Sequence, residues 1–336
     1  MKEVRIGNNL VGKDNPTYVI AEVGINHNGD VSLAKEMISA AWESGADAVK
    51  IQTFITKEFL HPSHPSFIHD IEAEISHEDE QEIWDFAKNR GINLFSTPEE
   101  FLSLDFISKQ DPNLLKIASM DFNYKELIQN AAALGKPIIL SSGMSSMDEV
   151  LRAVGWAKEA GNDKYMVLHC VSCYPTPVSS CNLQVIKTLK NVLDCPVGFS
   201  DHTEGTHIAF AAACMGADII EKHFTLNKNM HGPDQKISMS PDDLRGLVNN
   251  IRDLESARGH GIKIPAPEEK EPRIFKRRGV YTSRDLEPGD LLTRDDVVFF
   301  APSSMESSVT DWEKMIGRRV NNSIPSMTPI GLKDVR

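Results

Sequence analysis

Hydrophobic positions in the first two-thirds of the 336-residue chain fall into two alternating patterns. Short, dense apolar runs predict strands at Tyr18–Ala21, Ala48–Thr53, Asn93–Ser96, Leu115–Ile117, Pro137–Leu140, Met166–His169, Pro196–Phe199 and Asp218–His223. Longer stretches with apolar residues three and four apart predict helices over 32–44, 78–90, 147–159, 182–192, 206–215 and 241–257. In the first of these, Ala34, Met37, Ile38 and Ala41 share one face. Gly45, Gly91, Gly135, Gly161 and Gly216 stand where a helix must end before the next strand. Eight strand–helix units in about 250 residues predict an α/β fold, a (β/α)8 TIM barrel. A doubly wound sheet would carry a glycine-rich first turn, and here that turn reads EVGINHNGD.

After Ala257 the pattern changes. Residues 259–276 (GHGIKIPAPEEKEPRIFK) are rich in Pro, Gly and charge and read as a linker, leaving a barrel domain over 1–258. Residues 277–336 have short β-like runs and tight turns such as EPGD, and predict a small β-rich domain.

Composition adds constraints on partners. Hydrophobic content of 40% and charged content of 25% are those of a globular protein, and a net charge of −12 is the reverse of what a nucleic-acid binder carries. The same charge repels an anionic substrate at long range, so any lysines that hold one must be placed locally. Five cysteines without disulfide-framework spacing, a polar N-terminus and the lack of a membrane-length apolar run point to a cytoplasmic protein.

In a barrel the chemistry sits at the C-terminal ends of the strands. Those ends are polar here: Glu22, then Asn26 and His27; Lys50 and Gln52, two apart and so on one side of their strand; Ser96 and Thr97; Lys116 and Ser119; Ser141 and Ser142; Tyr174; Ser200, Asp201 and His202; Glu221 and His223, again two apart. Any one of these has an ordinary structural explanation; one shared pocket at the barrel mouth explains them together. Lys50, Lys116, Thr97, Ser119 and Ser141 make a cationic, hydroxyl-lined cradle suited to a small phosphorylated carboxylate. His202 and His223, on neighbouring strands, are placed to share a divalent metal with open positions, which would act as a Lewis acid on a carbonyl. Glu22 and Glu221 are the carboxylates available for proton handling or for holding a metal-bound water, and Asp234 in HGPDQKIS suits sugar hydroxyls at the rim. Cys170 and Cys173 have redox spacing but lack a second pair, which favours a structural reading. His61, His64 and His69 belong to a polar loop that lines or covers the pocket rather than to a metal site.

The stretches IAEVGINHNGD, GADAVKIQTF, LFSTP, LLKIASMD, PIILSSGM, YPTP, VGFSDHTEG, GADIIEKHFTL and HGPDQKISMSP, in this order, resemble the N-acetylneuraminate (sialic acid) synthase family, and the C-terminal segment resembles its antifreeze-like (SAF, β-clip) domain. The resemblance implies a TIM barrel followed by that domain. It also implies a domain-swapped homodimer in which the small domain of one subunit caps the barrel of the other. The implied reaction condenses phosphoenolpyruvate with N-acetylmannosamine or a related amino sugar, releasing phosphate. The implied cofactor is a divalent metal: manganese, with magnesium or cobalt as the other candidates. By motif, His202 and His223 would be the metal ligands; Lys50, Thr97, Lys116, Ser119, Ser141 and Ser200 would hold phosphoenolpyruvate; Gln52, Tyr174 and Asp234 would contact the sugar; and Glu22 would sit at the reacting centre.

The chain also departs from that pattern. The family's Arg-Pro-Gly stretch, whose arginine reaches the partner's pocket near the sugar's acyl group, is replaced by FFAPSSMES, with Ala301 before Pro302. Arg277-Arg278-Gly279 stands for Arg-Arg-Ser, and Ser172 for an asparagine before YPTP. These changes leave the identity of the amino sugar open. Three rivals remain at this point. A phosphoenolpyruvate-dependent 3-deoxy sugar acid synthase acting on a phosphorylated aldose would need further cations, and the strand ends hold no arginine. A Schiff-base aldolase would leave the two histidines unused. A catalytically silent sugar-binding homologue would have no reason to retain Glu22, Lys50, Lys116, His202 and His223.

Overall fold

The computed structural model describes residues 2–303 and 308–336. The first of its two compact units ends at Gly259 and the second begins at His260.

The first unit opens with a feature that the apolar pattern does not announce: a hairpin of β1 (Val4–Ile6) and β2 (Asn9–Val11). Its strands are three residues each, too short for an alternation to register. Eight parallel strands follow: β3 (Tyr18–Gly24), β4 (Ala48–Thr53), β5 (Leu94–Pro98), β6 (Leu115–Ile117), β7 (Ile138–Ser141), β8 (Tyr165–Cys170), β9 (Val197–Asp201) and β10 (Ile219–His223). They form one sheet in the order β5-β4-β3-β10-β9-β8-β7-β6, and β5 lies against β6 to bring the two edges together. This is a TIM-like barrel, its helices between successive strands. Four helices of this unit lie outside the expected set: the short Thr56–Phe59 and Phe67–Ala73 after β4, and Phe101–Lys109 and Lys125–Ala133 after β5 and β6. Each of the last two has nine residues, and in Phe101–Lys109 the exposed Phe101 and Leu102 blur the apolar stripe.

Alternation along the strands builds two cores. Inward residues such as Ile20, Phe95, Ile139, Met166, Leu168 and Ile219 fill the barrel, and Val4, Ile6 and Val11 of the hairpin join that cluster. Outward residues such as Val49, Leu94 and Ile220 pack on the helices through Met37, Ile38, Ile83 and Leu247. With its lower half packed by apolar side chains, the barrel has room for polar groups only toward the strand ends.

The second unit has its own core, formed by Val280, Leu286, Leu292, Val297, Met315, Val320, Ile324, Ile330 and Val335. Strands β11 (Gly279–Thr282) and β12 (Val297–Phe300) pair antiparallel, and single bridges such as Leu286 with Ile324 extend the pairing. The EPGD turn closes with Asp290 N–H donating to Glu287 O at 3.0 Å, and Gly289 takes the positive φ of 95° that the turn needs. Of the FFAPSSMES segment, Ala301 is exposed just beyond β12, and residues 304–307 lie outside the described residues. Among the described residues no helix is long and apolar enough to cross a membrane, and all five cysteines are free.

One outward-facing cluster ties two site-bearing strands to a helix. Glu80, buried on the helix His77–Asn89, accepts from Thr53 Oγ1 of β4 (2.6 Å) and from Trp84 Nε1 (2.9 Å), and Thr53 Oγ1 lies 2.6 Å from Ser96 Oγ of β5. Burial raises the Glu80 carboxyl to about 7, against the two hydrogen bonds that lower it. The folded protein thus holds this proton more tightly than the unfolded chain does. That contribution to stability is complete below about pH 4.5 and is lost as pH rises through 7. Glu80→Gln keeps the acceptor and removes the ionisation. Its unfolding free energy in denaturant, compared with the parent from pH 5 to pH 8, should gain on the parent as pH rises, by about 1–3 kcal/mol overall. A difference that does not change with pH would contradict the assignment.

Candidate active site

All thirteen side chains named as site candidates line one cavity of about 640 Å3 at the C-terminal ends of the strands: Glu22, Lys50, Gln52, Thr97, Lys116, Ser119, Ser141, Tyr174, Ser200, His202, Glu221, His223 and Asp234. Strand alternation explains which neighbours do not join them. Ser96, Asp201 and Ser142 point elsewhere: Ser96 to Thr53 and the Ile51 carbonyl, Asp201 to the buried Lys222 ammonium at 3.0 Å, and Ser142 to the Leu168 carbonyl at 2.9 Å. Asn26 and His27 are likewise structural. The Asn26 amide donates to Phe224 O and Ser238 Oγ, both at 2.9 Å, and His27 Nδ1 accepts from Gly29 N–H at 3.1 Å. The shared-pocket argument therefore overreached for these five residues.

A buried charge cluster occupies the floor. Glu221 Oε1 accepts from Lys116 Nζ at 3.0 Å and from Ser200 Oγ at 2.9 Å, while Glu221 Oε2 lies 3.2 Å from Lys50 Nζ. Lys50 also contacts Glu22 as an ion pair. All four side chains are at most 5% exposed. Burial pulls the Lys50 ammonium down to about 7, with the neighbouring Lys116 adding to the effect against the opposing pull of Glu221. Burial acts to raise Glu221, but Lys116 and then Lys50 hold it well below the usual carboxylate range. Gly24, at a φ of 53°, lies where the β3–β4 register shifts, and a Cβ there would stand 3.0 Å from Glu22 Oε1 and 3.2 Å from Gln52 Oε1.

Around this floor are groups that lack partners. Seven of the twelve buried side-chain oxygens and nitrogens without a hydrogen-bond partner among the described residues belong to residues lining the cavity: both oxygens of Glu22, Thr97 Oγ1, Glu99 Oε2, Ser141 Oγ, Glu221 Oε2 and His223 Nδ1, of which Glu22 Oε2 and Glu221 Oε2 are the two that meet Lys50 as ion pairs. Buried polar groups are normally satisfied, so this concentration marks where a polar ligand belongs. Beside Ser141, Gly143 N–H donates to Ser119 Oγ at 3.0 Å. A Cβ on Gly143 would come within 2.7 Å of that oxygen and 2.2 Å of Ser172 Oγ, so only glycine fits.

His202 and His223 lie on adjacent strand ends, ring centroids 5.4 Å apart. Burial lowers His202 to about 4 and, with His202 adding to the effect, lowers His223 well below its ordinary value, so both imidazoles are neutral. His202 Nδ1 is 3.1 Å from the Val171 carbonyl, which places the proton there and leaves Nε2 as an acceptor. His223 Nδ1 is unpartnered, 3.9 Å from Asp234 Oδ2. Neutral imidazoles with free nitrogens fit a divalent ion. Among the described residues no group of three or more His, Cys, Asp or Glu is gathered to hold one, so water or substrate would complete its shell. Tyr174 packs its ring 4.2 Å from that of His202.

Of the histidine-rich loop, His69 lines the cavity with Pro65, Ser66 and Asp70, while His61 and His64 are exposed. Cys170 also lines it, its Sγ 3.7 Å from His202 Nδ1, whereas Cys173 is exposed. Sequence reasoning missed Glu99 and its neighbour Asp121. Glu99 directly follows β5 in the run PEE and reads there as a helix-capping acid, a part that Glu100 plays by accepting from Leu102 and Ser103 N–H.

Comparison with known proteins places this site in context. Residues 37–263 match the profile described as the NeuB family, and residues 277–336 match the SAF domain. The chain is 40% identical over 302 residues to an uncharacterised protein of Methanocaldococcus jannaschii, covering 90% of each chain. It is 35% identical over 337 residues to the N,N'-diacetyllegionaminic acid synthase of Legionella pneumophila, covering 95% of this chain and 94% of that one. The crystal structure of the N-acetylneuraminic acid (sialic acid) synthetase from Leptospira borgpetersenii superposes with a TM-score of 0.76 at 34% identity, over 81% of this chain and 95% of the other.

Removing Glu221 tests the charge cluster. In Glu221→Gln the two lysines lose the carboxylate between them, and breaking such a buried pair costs about 3–5 kcal/mol. The expected result is a melting temperature well below that of the parent, restored in part by millimolar inorganic phosphate and to a greater extent than phosphate stabilises the parent. A variant as stable as the parent would show that Glu221 does not hold the lysines.

Proposed function

The chain belongs to the NeuB family, and on that premise we propose that it condenses phosphoenolpyruvate with an open-chain amino sugar, releasing phosphate and leaving a nonulosonic acid. The observation that carries this reading is the pairing of buried, unpartnered hydroxyls (Thr97, Ser141) with two buried lysines in a cavity whose other side presents two neutral imidazoles.

Lys50 and Lys116 bind the anion, and Thr97, Ser119, Ser141, Ser200 and the Gly143 backbone complete its hydrogen bonds. Gln52, Tyr174 and Asp234 orient the aldose so that its aldehyde carbon faces C3 of phosphoenolpyruvate. A divalent ion held by His202 and His223, for which manganese is the candidate, supplies Lewis-acid polarisation of that aldehyde when bound. Attack by C3 forms the carbon–carbon bond and leaves positive charge at C2, which the Glu22 and Glu221 carboxylates stabilise. Water adds to C2, its proton passing to Glu22, which a single lysine engages where Glu221 is held by two. Glu22 returns that proton to the alkoxide that C3 attack leaves on the former aldehyde carbon. The C2–O bond to phosphate then breaks as the C2 hydroxyl gives its proton to the departing phosphate, leaving the keto acid and free phosphate. Glu221 is poorly suited to take the proton, because both lysines hold it ionised and engaged. It serves instead to place the two ammonium groups.

We also propose that the chain acts as a homodimer whose partner covers the cavity mouth. The support is the exposure of Met120, Met144 and Tyr174, large side chains that line the cavity. Sedimentation equilibrium should return twice the chain mass, and a monomer that is fully active would refute this.

The test of the reaction is phosphate release from phosphoenolpyruvate with manganese, across N-acetylmannosamine, diacetamido hexoses and arabinose 5-phosphate, with and without chelator. Chelator-sensitive release with an unphosphorylated amino sugar is expected, and release with arabinose 5-phosphate alone would move the protein to the rival synthases. Electron paramagnetic resonance should show bound manganese in the parent and about tenfold or weaker binding in His202→Ala and His223→Ala.

A further inference from the structure

Glu99 lines the cavity but has no part in the chemistry above. It is 3% exposed, its backbone N–H donates to the Thr53 carbonyl at the end of β4, and Gln52 Nε2 donates to its Oε1 at 3.2 Å. Behind it stands Asp121, 8% exposed, which lines a separate cavity of about 250 Å3; Glu99 is the one residue lining both. Glu99 Oε2 and Asp121 Oδ2 are both buried without a donor from the rest of the described chain. Two carboxyls so placed are reconciled by a shared proton. Burial, and then Glu99 itself, raises Asp121 to about 9, so Asp121 holds that proton and donates it to Glu99.

Burial raises Glu99 as well, but with the proton on Asp121 its carboxylate is fixed at the cavity wall by Gln52 on one side and by Asp121 on the other. Such a wall accepts hydrogen bonds and offers none. The lysines nearest to it, Lys50 and Lys116, are already engaged by Glu22 and Glu221, and the lining holds neither arginine nor any further lysine. Asp70 and Asp234 add acceptors to the same lining. A hydroxyl or amide N–H meets this surface favourably; a second phosphate would be buried among carboxylates without a counter-charge.

Resting on the reading that the Gln52 end of the cavity takes the aldose, we propose that Glu99 is a specificity-determining residue, which selects an unphosphorylated aldose by accepting a hydrogen bond from its hydroxyl or amide N–H and rejects a phosphorylated one.

The test uses the full-length protein with manganese and phosphoenolpyruvate, and compares N-acetylmannosamine and a diacetamido hexose with N-acetylmannosamine 6-phosphate. The parent should prefer the unphosphorylated sugars in kcat/KM by about 100-fold or more. Glu99→Gln, isosteric and still able to pair with Asp121, should raise KM for the unphosphorylated aldose by about 10–100-fold, leave KM for phosphoenolpyruvate within about twofold, and narrow the preference. Equal use of the 6-phosphate by the parent, or a variant that shifts both KM values alike, overturns the inference. A parent that releases phosphate with none of these sugars fails the reading of the reaction instead. Calorimetric binding of the same sugars to parent and variant then decides the inference separately. A preference for the uncharged sugars that Glu99→Gln erases upholds it, and equal or undetectable binding of both kinds to the parent overturns it.

Discussion

Two lysines inside a barrel cannot remain charged without carboxylates against them, and the candidate site is arranged around that constraint. Lys50 projects from β4 and Lys116 from β6, with only β5 between them in the closed barrel, and Glu221 on β10, four strands round from β6, meets both. The ion pairs therefore run across the interior instead of along one edge. Lys50 adds a contact to Glu22 on β3, so three consecutive strands of the sheet and β6 converge on a single cluster.

Much of this was legible because strands alternate. Lys50 with Gln52 and Glu221 with His223 are two apart, and each pair lines the cavity as period-two spacing requires. The same rule separates Thr97 from Ser96, Ser200 from Asp201, and Glu221 from Lys222, each second member being turned toward the helices. A pattern of polar strand ends does not by itself say which face a residue takes; that needs the register of the apolar positions below it. The hairpin at Val4–Val11 was illegible for another reason. It is stabilised by burial of Val4, Ile6 and Val11 in the cluster that holds Leu114, Met166 and Ile219 and not by any local periodicity.

Glu99 and Asp121 show the limit of sequence reading more sharply. An acid after a strand and before a helix is ordinary, and so is one in a βα loop; what makes this pair unusual is that two loops bring the carboxyls together with little exposure to solvent. Asp121 lies just past Ser119, in the very stretch read for its lysine and serine, and its role depends on β5 and β6 being neighbours across the seam of the sheet. Linear spacing carries no trace of that adjacency.

Burial accounts for the protonation states together. It neutralises His202 and His223, draws Lys50 down to about 7 and lifts Asp121 to about 9, each shift opposing the charged form of its group. What differs is the compensation available: the histidines have no carboxylate bonded to them, Glu221 has two lysines, and Asp121 has only another acid. The cavity is thereby divided into a cationic floor, a neutral imidazole pair and an acceptor wall without any change in solvent exposure between them. For a chain with a net charge of −12, that division is what allows an anion to be held at all. The long-range field opposes its approach, so affinity must arise within the few ångströms over which Lys50, Lys116 and the unpartnered hydroxyls act, and an anionic group placed against the acceptor wall meets carboxylates without a counter-charge.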